Sequence, residues 1–359
     1  MDFIWCCFVR RVKPQDHVAE FSTEKKVRLF FYNELKTATE NFCSSNKSGR
    51  GGFGTVYKGI LRDGTAIAAK VLSAESKQGV NEFLTEIDVI TNVKHPNLVQ
   101  LIGCCVEGKH RILVYEYVEN SSLDRALLGF RSQKVKFNWD IRSAICIGTA
   151  KGIAYLHEGV QPQIVHRDIK ASNILLDKNF RPKIGDFGLA KLFPDNVTHI
   201  STRVAGTTGY LAPEYAMQGQ LTKNADIYSF GVLVLEIISG RSSSMPYRET
   251  DKLLLEWTWQ LYEEGKLKNL VDPALVDYPE EEVLRFIKVA LFCTQAAARR
   301  RPSMGQVIHM LSKPTRLNEK ELTRPGLIPE SKNAVSSNST YSITEFSRSP
   351  LTHTQMAPR

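Results

Sequence analysis

The apolar positions change their rhythm along the chain, and each change predicts a different kind of element. Residues 30–42, "FFYNELKTATENF", repeat apolar side chains at helical spacing and predict an amphipathic helix packed on the domain. From residue 47 to 118, β-branched runs such as "GTVYKGIL", "TAIAAKVL" and "RILVYEYV" alternate with Gly-containing turns. That text predicts an antiparallel sheet, interrupted by one helix at about 79–93. After Ser121 the period lengthens. "WDIRSAICIGTAKGIAYLHEG" repeats apolar residues every three or four positions, and "DIYSFGVLVLEIISG" is apolar nearly all round, as in a helix buried within a large lobe. The pattern fades at both ends: 1–28 is short and basic, and 314–359 is rich in Ser, Thr and Asn. The latter has too few apolar residues to offset the entropy of ordering and is expected to be a disordered tail. The expected architecture is α+β: a small sheet lobe (43–117) with one helix, a larger and mainly helical lobe (118–313), and a helical extension (29–42) ahead of them.

Composition narrows this little. A 359-residue chain with 42% hydrophobic residues suits one large domain or two lobes. A net charge of +9 is compatible with nucleic acid, an anionic membrane surface or phosphate-bearing substrates. The charges are scattered and no aromatic platforms interleave with them, which disfavours nucleic acid. Seven cysteines without a Cys-x-x-Cys pair give neither a disulfide framework nor a zinc signature and point to a reducing compartment. No run reaches the ~18 apolar residues of a membrane span. Asp2 follows the initiator methionine, which excludes N-myristoylation. Cys6 and Cys7 lie beside Phe3, Ile4, Trp5 and Phe8, ahead of Arg10, Arg11 and Lys13. Acylated cysteine plus basic residues is the two-signal logic of membrane anchoring; an unmodified tail is the alternative.

The candidate chemistry sits where charge interrupts core. "IVHRDIKASNILLD" places His166, Arg167, Asp168, Lys170 and Asn173 between apolar runs, and such groups need partners when buried. "GRGGFGTVYKG" has the spacing G-x-G-x-x-G-x-V through Gly49, Gly51, Gly54 and Val56, with Gly52 and Phe53 at its tip. Glycines allow backbone amides to close on an anion. Dinucleotide-binding folds use similar spacing, but there the third glycine opens a helix, whereas a strand follows here. That strand carries Lys70 among apolar neighbours, with Ala68 and Leu72 on its side of the pleat. In the helix that follows, Phe83, Ile87 and Ile90 mark the inward stripe, and Glu86 shares it. An inward Lys70–Glu86 pair would hold the ammonium toward phosphate. Asp186 in "KIGDFGLAK" and Asn173 offer oxygen ligands to a hard cation. Asp168 is then free to accept a proton.

In order and spacing these segments resemble the protein-kinase signature: the Gly-rich loop, the strand lysine, the helix glutamate, "HRDIKASN", "DFG" and "APE" (Ala212, Pro213, Glu214). The resemblance implies the bilobal protein kinase fold over about 43–313 and the use of ATP with Mg²⁺ or Mn²⁺. It implies that Val56 and Ala68 sandwich the adenine, and that the backbone from Glu116 to Val118, after a gatekeeper Tyr115, bonds its edge. Lys70, oriented by Glu86, would hold the α- and β-phosphates, Asn173 and Asp186 the metal. Asp168 would be the catalytic base and Lys170 would steady the γ-phosphate. His166 and Phe187 look like packing elements, Asp226 like a brace for the catalytic loop, and Arg301 like the partner of Glu214.

Lys170 and Thr207 match the Ser/Thr-specific pattern, so protein Ser and Thr hydroxyls are the implied acceptors. Arg167 resembles the sensor of a phosphorylated activation loop. Ser201, Thr202 and Thr207 are the expected phosphoacceptors. "HISTRVAGT", "HPNLVQLIGCC" and the 30–42 segment resemble plant receptor-like cytoplasmic kinases of the receptor-like kinase/Pelle family, and the layout is similar to its cold-responsive members. That resemblance implies an upstream membrane receptor kinase and a cytoplasmic enzyme peripheral on the plasma membrane. Thr208 departs from related sequences, which often carry a larger residue there, so peptide preference is not implied. The rival reading is a silent pseudokinase scaffold, which predicts a gap at Lys70, Asp168, Asn173 or Asp186; none is present.

Overall fold

The computed structural model describes residues 27–51, 54–72, 77–91, 93–129, 137–194, 197–243, 252–314 and 316–327. Cys6, Cys7, Gly52 and Phe53 lie outside the described residues. The chain divides into two compact units, Met1–Glu119 and Asn120–Arg359.

The first unit is built on a six-stranded sheet in the order β1-β5-β6-β4-β3-β2. Its strands are β1 (Arg28–Leu29), β2 (Lys47–Gly51), β3 (Gly54–Ile60), β4 (Ala66–Leu72), β5 (Leu101–Glu107) and β6 (His110–Glu116). All pairings are antiparallel except β1 on β5. One face packs on helix α1 (Tyr32–Ala38) through Phe30, Leu35, Ile67, Ala69, Cys105, Ile112 and Val114. Helix α2 (Lys77–Ile90) contacts β4 and β6. Its buried residues include Phe83, Glu86, Val89 and Ile90, while the expected Ile87 is only half-buried.

The extension ahead of the sheet differs from the helix expected over 30–42. Phe30 is extended, and its N–H bonds the Cys104 carbonyl at 2.9 Å, which continues the pairing of β1. Its ring covers Gly103, where a Cβ would come within 2.6 Å of it, so only glycine admits this strand. The helix stops at Ala38 because Thr39 takes over its end. The Thr39 hydroxyl donates to the Leu35 carbonyl at 2.7 Å and accepts the Phe42 N–H at 3.1 Å. Glu40, Asn41 and Phe42 turn through left-handed backbone (φ 53°, 60° and 52°).

The second unit is mainly helical: α3 (Trp139–Glu158), α4 (Pro213–Gln218), α5 (Lys223–Ser239), α6 (Leu254–Glu263), α7 (Glu280–Cys293) and α8 (Met304–Ser312). Every residue of α5 from 225 to 239 is buried. Short strand pairs decorate the helices: β7 (Gln163–Val165) with β10 (Lys191–Phe193), β8 (Ile174–Leu176) with β9 (Pro182–Ile184), and β11 (Ile200–Ser201) with β12 (Gln220–Leu221). The disordered tail expected from 314 is corrected over its first part. Residues 316–327 pack on this unit, with Pro325 and Gly326 buried, and polar bonds rather than an apolar stripe hold them. Among the described residues no helix is long and apolar enough to cross a membrane.

Candidate active site

In the first unit, the pleat of β4 turns Lys70 away from the α1 core, in register with Val56 on β3 and Leu113 on β6. Its Nζ donates to Glu86 Oε1 at 2.5 Å. The Glu86 side chain is wholly buried and that of Lys70 is 14% exposed. A second donor reaches the same carboxylate, because the Tyr115 hydroxyl hydrogen-bonds Glu86 Oε2. Ion pairs this deep gain little net stability, since desolvation offsets their attraction. The arrangement fixes where the ammonium sits. Gly49 and Gly51 pair with Val56 and Gly54 across the β2–β3 hairpin, and Val56 and Ala68 are half-buried. The Glu116 N–H is taken by the Gln100 carbonyl at 3.0 Å. Val118 makes no backbone hydrogen bond among the described residues.

In the second unit, the charged loop closes on itself. Asp168 Oδ1 accepts from the Thr207 hydroxyl at 2.7 Å, while Oδ2 accepts from Lys170 Nζ at 2.8 Å and Asn173 Nδ2 at 3.0 Å. Lys170 Nζ also donates to Thr207 Oγ1 at 2.8 Å, completing a triangle of Asp168, Lys170 and Thr207. Beneath it, buried Asp226 accepts the backbone N–H groups of His166 and Arg167, both at 2.8 Å, and His157 Nε2 at 2.9 Å. Burial works to raise the Asp226 carboxyl, but the hydrogen bond and charge of His157, with His166, outweigh it and hold the group below its ordinary value. His166 Nδ1 accepts the Asp168 N–H at 3.3 Å, which puts the ring proton on Nε2, 3.2 Å from the Gly185 carbonyl. The ring meets Phe187 edge-on, with centroids 4.8 Å apart.

Arg167 is buried and has left-handed backbone (φ 71°). Its guanidinium bonds the Tyr215 hydroxyl and the carbonyls of Leu189 (3.0 Å) and Arg203 (2.9 Å). All these partners are neutral. Ser201 is exposed at the end of β11, and the Thr202 N–H bonds the Gly219 carbonyl at 3.2 Å. Thr202 therefore directly precedes the residue whose carbonyl Arg167 grips. Arg301 forks onto Glu214 at 2.7 and 2.8 Å. Thr207, expected as a phosphoacceptor, has its hydroxyl bonded to Asp168 and Lys170.

For a hard cation the donor set is oxygen. The Asn173 amide spends its Nδ2 on the Asp168 carbonyl and carboxylate, which leaves Oδ1 without a donor among the described residues. The Gly185 N–H bonds the Asn173 carbonyl at 2.9 Å, so exposed Asp186 follows directly. Among the described residues no group of three or more His, Cys, Asp or Glu could cage a metal. One carboxylate and one amide oxygen fit an ion that keeps waters and takes phosphate oxygens, as Mg²⁺ does.

The family described as "Protein kinase domain" matches residues 42–311, and the chain belongs to it. The chain is 55% identical over 315 residues to cold-responsive protein kinase 1 of Arabidopsis thaliana, covering 87% of this chain and 81% of the relative. It is 50% identical over 322 residues to a probable LRR receptor-like serine/threonine-protein kinase of the same plant, covering 89% of this chain but only 31% of that protein. A probable leucine-rich repeat receptor-like serine/threonine-protein kinase of the same plant is 52% identical over 321 residues, with 32% of its length spanned. The protein is a serine/threonine protein kinase of the plant receptor-like kinase type, and a protein kinase domain implies ATP with a divalent metal.

Two contacts of the site are not legible in the sequence. Tyr115 has the place of a gatekeeper, and its bond to Glu86 spans 29 residues that no motif spacing records. Thr207 carried a signal, its place before "APE", but the bond to Asp168 across 39 residues is tertiary.

Proposed function

We propose that this kinase transfers the γ-phosphate of ATP to Ser and Thr hydroxyls of proteins, and that phosphate on its own activation loop switches it on. The observation that carries the reading is Asp168, a carboxylate held on both oxygens by Lys170, Thr207 and Asn173. Asp168 takes the proton of the attacking hydroxyl as its oxygen bonds phosphorus and ADP departs. Lys170 lies beside that carboxylate and neutralises charge on the transferring group. Lys70, fixed by Glu86, holds the α- and β-phosphates, while Val56, Ala68 and the backbone at Val118 take the adenine. Asn173 and Asp186 hold Mg²⁺ or Mn²⁺, which supplies Lewis-acid stabilisation of the phosphate oxygens when bound.

Ser201 and Thr202 are the proposed phosphoacceptors, by autophosphorylation. Arg167 supports this, since a buried guanidinium with only neutral partners gains charge-assisted bonds when a dianion arrives nearby. Acylation at Cys6 or Cys7 would hold the chain at the inner face of the plasma membrane beside a receptor kinase, as the receptor-like relatives suggest. Mass spectrometry of the full chain incubated with Mg²⁺ and ATP tests the switch. Phosphate should appear on Ser201 or Thr202, and Ser201→Ala with Thr202→Ala should lower the initial rate about tenfold. Unchanged turnover in the double variant refutes loop control.

A further inference from the structure

A densely hydrogen-bonded feature outside this machinery lies beyond the matched residues 42–311, in residues 316–327. Glu319 Oε1 meets Lys288 Nζ at 2.6 Å. The chain then crosses the loop after α7. The Thr323 N–H and hydroxyl both donate to Gln295 Oε1, at 3.1 and 2.9 Å. Pro325 bridges Gln295, the Ala296 N–H bonds the Arg324 carbonyl at 3.3 Å, and the Gly326 N–H bonds the Thr294 carbonyl at 3.0 Å. The Tyr228 hydroxyl donates to the Gly326 carbonyl at 2.7 Å.

These contacts converge on one object, the Arg301–Glu214 fork. The Gln295 carbonyl accepts Arg301 Nε at 2.8 Å, so the residue that grips Thr323 also orients the arginine. The ring of Tyr228 lies under the guanidinium, 5.0 Å from it. At Gly326 a Cβ would stand 2.7 Å from Pro213 Cγ and 3.1 Å from the Ala296 Cα, so this backbone lies directly against the first residue of α4. From Pro213 the chain runs back through Tyr210, whose carbonyl accepts the Ser229 hydroxyl at 2.7 Å, to Thr207 on Asp168.

We infer that residues 323–326 are a positioning strap that fixes Pro213 and Glu214, and through them the segment 207–214, and that this segment, which sets Thr207 on Asp168, seats the acceptor peptide. The role rests on the kinase reading above. It differs from a general contribution to stability because the strap bears on that segment rather than on the ATP-contacting residues of the first unit.

Gly326→Ala in the full chain is the direct test, with Tyr228→Phe, which keeps the ring under Arg301, and Thr323→Val as milder variants in case the first fails to fold. The KM for a Ser/Thr peptide should rise roughly three- to tenfold while the KM for ATP stays within about twofold. Amide hydrogen exchange should quicken in 207–218 and stay unchanged in 225–239. Adding Pro213→Ala to Gly326→Ala should recover part of the peptide KM relative to Gly326→Ala alone, because the missing ring makes room. Unchanged exchange in 207–218 across the variants overturns the strap, as does a loss shared equally by both substrates. If the wild type transfers no phosphate, the kinase reading has failed, and the exchange data still decide the strap.

Discussion

Replacing Thr207 by Val keeps the β-branch and the volume and removes one hydroxyl. That hydroxyl donates to Asp168 Oδ1 at 2.7 Å and accepts from Lys170 at 2.8 Å, so two bonds to charged groups vanish. Each such bond is worth about 1.5–3 kcal/mol. The direct Lys170–Asp168 contact at 2.8 Å and the Asn173 bond survive, so the carboxylate is loosened rather than released. One bond's worth lost from the transition state lowers kcat about 10- to 150-fold, with the KM for ATP within about twofold. Thr207→Ser retains the donor and should stay within about threefold of wild type. Thr207→Glu sets a carboxylate against Asp168 and should be inactive. Steady-state transfer to a Ser/Thr peptide measures all three variants. Wild-type turnover in Thr207→Val would refute the bonding role, and an active Thr207→Glu would refute it and favour Thr207 as a phosphoacceptor.

Glu236 is buried on α5, bonded to the Tyr210 hydroxyl and the Ser243 N–H, and burial pushes its carboxyl up to about 7. The folded state therefore binds this proton more tightly than the unfolded chain. The resulting stability is complete below the ordinary 4.5 and is lost as pH rises through about 7, roughly 3 kcal/mol across that window. Urea unfolding of Glu236→Gln should show a flatter slope over pH 5–7; an unaltered slope counts against the assignment. Arg301→Ala strands Glu214 and should lower unfolding free energy by about 3–5 kcal/mol. A denaturation midpoint equal to wild type would show that the fork carries no such weight.

What the sequence revealed and what it concealed divide along physical lines. Helix α5 was plain because residues 225–239 are all buried and apolar side chains lie nearly all round it. Lys70 and Glu86 were visible because each interrupts an apolar stripe of a regular element. The turn after α1 was hidden, since the Thr39 hydroxyl ends that helix while the apolar spacing runs on to Phe42. Strand β1 is two residues long and leaves no alternation to read. The strap was hidden for the opposite reason: "NEKELTRPG" reads as tail, and its order comes from hydrogen bonds to Gln295, Thr294 and Tyr228. Composition measures apolar burial and is blind to polar docking of that kind.

The proposed role of Asp168 is phosphate transfer to Ser and Thr. Radiolabelled ATP, Mg²⁺ and a Ser/Thr peptide, offered to the wild type and to Asp168→Asn at equal nucleotide occupancy, test it most directly. Label should appear on Ser or Thr from the wild type, with a loss of about 10²- to 10⁴-fold in the variant. Equal transfer by both proteins, or none by either, would contradict it.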